Sequence, residues 1–155
     1  MLPTTVCRAC GGAGSALRWA CPSCVRVTTE RLDEIRGHAV AICTAGMLDG
    51  PGRAGRVGDP PLGEGLLVSV DDEPLLAPDP AVVVLSILDV LHRIARHVRH
   101  HRGEPAEFRC TIASEVRYLR ANAEWCAHQL WGHELVGAVE RLHGLTRARS
   151  GALVR

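Results

Sequence analysis

The residues with the clearest chemistry are four cysteines in two tight pairs, Cys7 with Cys10 and Cys21 with Cys24, separated by ten residues. Each Cys-x-x-Cys turn can aim two thiolates at one ion, while amides of the same turn soften the sulfur charge. Two such turns supply a soft four-ligand set, which suits one zinc ion at about 2.3 Å per Zn–S bond. Four protein ligands leave no open coordination position, so the expected metal is structural. Gly11, Gly12 and Gly14 follow the first pair, where the chain must reverse and φ > 0 is useful. Pro22 stiffens the second pair. Leu17 to Ala20 reads as a short strand, with Trp19 covering the metal. The competing readings are a thioredoxin-like dithiol, an iron site or disulfides. The dithiol motif favours a strand-to-helix context and occurs once, not twice. Metal binding would also drive folding of the first 24 residues, which carry almost no core-forming side chains. Cys43, Cys110 and Cys126 are left over and read as small buried hydrophobes.

The other chemistry-bearing residues form looser groups. Arg93, Arg96, His97, Arg99, His100, His101 and Arg102 make the densest basic cluster. It could grip phosphates or an acidic protein face. The plainer reading is a set of solvated cations, favourable near a helix C-terminus, or partners for the acidic stretch Asp71 to Asp79. Arg8, Arg18 and Arg26 decorate the cysteine module and could touch nucleic acid, or be ordinary surface arginines. His97, His100 and His101 lack a spaced carboxylate or thiol that would complete a second metal site, and Cys126, His128 and His133 are equally loose. Gly50 to Gly55 matches G-x-G-x-x-G but follows a helix rather than a strand. His133-Glu134 lacks the second histidine of a zincin, and no serine elbow is present. Lysine is absent, because all 18 basic residues are arginine, which excludes a P-loop lysine, a Schiff base and a lysine general base. The expectation is a non-enzymatic protein.

These residues must be positioned by helices. The chain has one Tyr, one Phe and three Trp among 155 residues, so Leu, Val, Ile and Ala must build its core. Val25, Leu32, Ile35, Ala39, Ile42 and Gly46 follow helical spacing and predict a helix from about 25 to 48. The Gly/Pro-rich stretch 49–65 and the acidic, proline-containing stretch 71–80 predict loops, with 66–70 a short extended segment between them. Asp79-Pro80 opens a second helix that runs to about His101 and ends at Gly103. Glu104-Pro105 opens a third, with Phe108, Ile112, Val116 and Leu119 inward and Asn122 as a cap or kink. A last helix places Leu135, Val139, Leu142 and Leu145 inward, with Arg147 and Arg149 in its final turn near Gly151. The fold class is therefore mainly α: an N-terminal four-cysteine zinc ribbon or knuckle capping an antiparallel bundle of three to four helices. The expected organisation is a metal module at 1–27, a connecting helix at 28–48, a linker at 49–80 and the bundle at 81–150.

A net charge of +1 lacks the basic field expected of a general nucleic-acid binder, though local patches remain available. No signal peptide is evident, and the most apolar run, 81–88, is too short to span a membrane. Metal-spaced cysteines fit a reducing cytoplasm.

The order Cys-x-x-Cys, glycine-rich turn, Trp19-Ala20-Cys21-Pro22-Ser23-Cys24-Val25, helix, Gly/Pro/Arg linker and Ala/Leu/Arg helices resembles small zinc-ribbon proteins of actinobacterial phages and prophages. The arginine-only, Ala/Gly/Val-rich composition fits such a high-GC source. The resemblance implies a DNA-binding role; joined to the basic residues above, the first expectation is a regulatory protein of the bacterial host cytoplasm that contacts DNA or the transcription machinery through Arg8, Arg18, Arg26, Arg93, Arg96, His97 and His100. The alternative is a protein–protein adaptor or phage assembly component in which zinc is a staple and helical faces meet a host or phage protein, or a second copy.

Overall fold

The computed structural model describes residues 6–14, 18–48 and 75–153. The loops expected over 49–74, and Leu17 of the expected strand, lie outside these residues. Four helices are described: α1 (Pro22–Leu48), α2 (Pro80–Arg102), α3 (Ile112–Ala127) and α4 (Gly132–Leu153).

Helix α1 starts earlier than its apolar spacing alone suggests, at Pro22, whose fixed φ and missing N–H suit a first helical turn. Cys21 and Cys24 therefore flank a helix N-terminus rather than sit on a separate ribbon. The inward face of α1 places Leu32, Ile35, Ala39 and Ile42 in the core. Helix α2 is bounded as its sequence predicts. The Asp79 carboxylate accepts from Ala81 N–H at 2.9 Å, and Gly103 takes the left-handed conformation at φ 69° that ends the helix. Val83, Ile87, Leu91, Ile94, Ala95 and Val98 form its buried stripe.

Helix α3 departs from expectation. It begins at Ile112, not at Glu104-Pro105, and residues 104–110 are not helical. The Glu104 carboxylate, which could have capped the earlier start, instead accepts from Arg102 Nε at 2.6 Å and Tyr118 Oη at 2.8 Å. Thr111 and Ser114 form a reciprocal capping box that fixes the later start. Phe108 is consequently 89% exposed rather than inward, while Val116 and Leu119 are buried as expected. Asn122 neither caps nor ends the helix; its side-chain amide donates to Tyr118 O within it. Helix α4 runs past Gly151 to Leu153, so Arg147 and Arg149 precede its last turn.

Helix α1 packs on all three other helices. Asp33 meets Arg120, and the start of α1 lies at the end of α3, so these two run antiparallel. Arg31 meets Glu140 and Glu34 meets His143, so α1 and α4 run side by side in the same direction. One core joins all four helices, with Trp131 and Leu75 completing it from the connections. No described helix is long and apolar enough to cross a membrane.

Candidate metal centre

The N-terminal chain folds back on itself through an isolated antiparallel bridge between Val6 and Ala13. No strand forms among the described residues, so the expected ribbon is a knuckle. Gly11 takes φ 73°, the left-handed conformation that the reversal requires. Its N–H donates to Cys7 O, and Cys7 N–H donates to Gly12 O, both at 2.8 Å.

This turn brings Cys7 and Cys10 against Cys21 and Cys24 at the start of α1, with all four sulfurs within 4.8 Å of one another. Cys7 Sγ lies 3.8 Å from Cys24 Sγ, and Cys10 Sγ lies 3.7 Å from Cys21 Sγ. An ion bonded tetrahedrally to four thiolates at about 2.3 Å spaces the sulfurs by about 3.8 Å, so these separations fit a metal. All four cysteines are free thiols. Backbone amides point at the sulfurs: Cys21 N–H donates to Cys7 Sγ at 3.2 Å, and Gly12 N–H donates to Cys10 Sγ at 3.4 Å. Burial opposes ionisation of Cys7, but the amides around it outweigh burial and draw its thiol down to about 6. Burial, reinforced by the neighbouring sulfurs, pushes the Cys24 thiol up instead. Four thiols packed this closely cannot all ionise alone, and a cation is what lets them do so.

Beyond the start of α1, the module is fastened to the bundle at the end of α3 and the start of α4. Trp19 and Ala20 both donate backbone N–H to Ala127 O at the end of α3, at 2.7 and 3.4 Å. Arg18 adds an ion pair to Glu124 at 2.7 Å. Ala20, Ala127 and Val136 bury one another beneath the cluster, with Cys24 and Val25 against them. Trp19 contributes its carbonyl, 4.0 Å from Cys7 Sγ, and its ring carries the Arg8 guanidinium at 4.2 Å.

Several of the expected binding arginines are paired with carboxylates of the same chain. Arg18 is held by Glu124, Arg26 by Glu30 at 3.3 Å and Arg93 by Asp89 at 2.9 Å. Arg96 is half-buried and His100 exposed. His97 is half-buried, with its ring 4.7 Å from that of Trp131. Arg99, one of the cations whose plainer reading is solvated, is only 8% exposed and makes a two-pronged bond to Glu115 at 3.1 and 2.9 Å. The leftover cysteines also divide. Cys126 is buried as expected, Cys110 is half-buried, and Cys43 is exposed on the outer face of α1. Burial pushes the Cys126 thiol up to about 12, and burial with the nearby Glu115 pushes Cys110 up to about 11, so both stay protonated.

The sequence alone does not identify Glu115, Glu124 or Ala127 as partners of these residues. Contacts across more than 100 positions, such as Arg18 with Glu124, leave no periodic signature. No protein-family model matches the chain, and no curated protein or solved structure matches it.

Proposed function

We propose that the chain is a non-enzymatic, zinc-stapled helical adaptor that binds a protein partner. Zinc is the metal that the four soft, closely spaced thiols favour, and in a closed four-sulfur set it serves as a cross-link. Cys7, Cys10, Cys21 and Cys24 would hold it, joining the N-terminal turn to the first turn of α1.

The observation that carries the protein-partner reading is the use of the arginines. Arg18, Arg26, Arg93 and Arg99 are engaged by carboxylates of the same chain. A cation already neutralised within the fold releases little counterion on meeting a phosphate. A nucleic-acid role finds its support in Arg8, exposed and stacked on Trp19 beside the cysteine cluster.

Binding of the zinc-loaded chain to random duplex DNA over a salt series separates the two readings. The adaptor reading expects no measurable complex even at low salt. A complex that weakens steeply with salt and is lost in Arg8→Ala would overturn it in favour of nucleic acid.

A further inference from the structure

A second group of metal-ligating side chains lies away from the cysteines, between α1 and α4. Glu34 and His38 stand one turn apart on the same face of α1. His143 of α4 faces them, and the three ligand atoms lie within 4.8 Å of one another. His143 Nε2 is bonded to Glu34 Oε2 at 2.5 Å. The His38 and His143 rings lie 5.8 Å apart, and His38 Nε2 is buried with no hydrogen-bond partner among the described residues.

We infer that Glu34, His38 and His143 form a second divalent-cation site, of a kind zinc accepts, that clamps α1 to α4. Two imidazoles and one carboxylate are a ligand set zinc accepts, and three protein ligands leave a fourth position open. Glu34 is 57% exposed on its side chain, so that position faces solvent and takes water or a partner's side chain. On binding, the ion takes the place of the hydrogen shared by His143 Nε2 and Glu34 Oε2; that proton passes to Nδ1 or to solvent, and the coordinated neutral ring carries its hydrogen on Nδ1. His38 supplies the third ligand through one of its ring nitrogens, which lies within 4.8 Å of the other two ligand atoms. Arg147 is the cation whose charge reaches both Glu34 and His38; it is exposed, and its long stem lets it move aside. The other three-residue group, His92, Cys110 and Glu115, does not offer the same chemistry. Both Glu115 oxygens are taken by the Arg99 guanidinium, whose charge repels an entering cation.

This inference stands apart from the cysteine cluster, and metal stoichiometry with cobalt as a probe keeps the two distinguishable. Cobalt on four thiolates gives intense sulfur-to-metal charge-transfer absorption, whereas cobalt on Glu34, His38 and His143 gives only weak visible bands. The full chain is expected to bind two equivalents of zinc or cobalt. Glu34→Gln, a substitution at an exposed position, and His143→Gln should each lose one equivalent while keeping the charge-transfer band and helical circular dichroism. Cys24→Ser, which leaves three thiolates, should weaken the band and keep the weak equivalent. A wild-type stoichiometry that Glu34→Gln leaves unchanged would overturn the second site, whatever happens at the thiolates.

Discussion

Glu115 has no solvent-exposed surface, yet it carries a carboxylate in the middle of an apolar interface. Arg99 answers it with two hydrogen bonds and rests its guanidinium 4.2 Å above the Tyr118 ring. Tyr118 donates to Glu104, Glu104 accepts from Arg102, and Arg102 lies 5.1 Å over Trp125. Arg99 and Arg102, at the end of α2, therefore form a polar seam with α3. A buried pair of this kind contributes little net stability while intact, because desolvation offsets attraction, but breaking it strands a charge. Glu115→Leu alone should cost about 3–5 kcal/mol in urea unfolding, and the double change Arg99→Met with Glu115→Leu should recover most of that loss. A single variant as stable as the parent would mean that the pair is solvated.

Among the elements, the turn between α3 and α4 has the least room. Gly132 opens α4 where an added Cβ would lie 2.3 Å from Cys126 O. Backbone cannot yield as a side chain can, so Gly132→Ala must displace the turn. That turn carries Trp131 into the core and adjoins Ala127, whose carbonyl receives the cysteine module. The expected cost is about 1–3 kcal/mol, visible as a lower melting temperature. Gly137→Ala on the same helix, where an added Cβ meets nothing within 4 Å, should not share that cost. Much of this architecture is legible in the residue order. The 3–4 spacing of Leu32, Ile35, Ala39 and Ile42 marks α1, and Asp79-Pro80 with Gly103 brackets α2 to within a residue. The cysteine spacing marks the candidate metal cluster, because local turns alone place each pair. Glu104-Pro105 marks an opening for α3 in sequence, whereas the structure opens it at Thr111 with Ser114. Only the tertiary bonds of Glu104 to Arg102 and Tyr118 decide between them. The Glu34 and His38 spacing is equally visible, but His143 is 109 positions from Glu34 and joins them only when α1 and α4 pair.

For the molecule as a whole, His97 is the imidazole whose burial should add most to acid sensitivity. His97 is held from its ordinary 6.5 down to about 4, first by burial and then by the charges of His101 and His100. As pH falls through that window, the unfolded chain takes the proton before the folded one does, so stability rises with pH from about 4 to 6.5. At 1.36 kcal/mol per unit, the contribution is at most about 3 kcal/mol, and solvent screening at this half-buried ring lowers it. Urea unfolding between these pH values should show a shallower slope in His97→Gln than in the parent. Equal slopes would show that the ring is already solvated. Protons competing for the cysteine thiolates act in both proteins, so the difference isolates His97.

The docking of the cysteine turn onto Ala127 sets an order of events during synthesis. Residues 7–24 leave the ribosome more than 100 positions ahead of Ala127 and Val136, the surface that receives them. The thiols therefore meet metal, oxidants and chaperones as a nascent tether before their platform exists. The bundle then closes late, because α1 must wait for α4, the last of the described helices to be made, to lie alongside it.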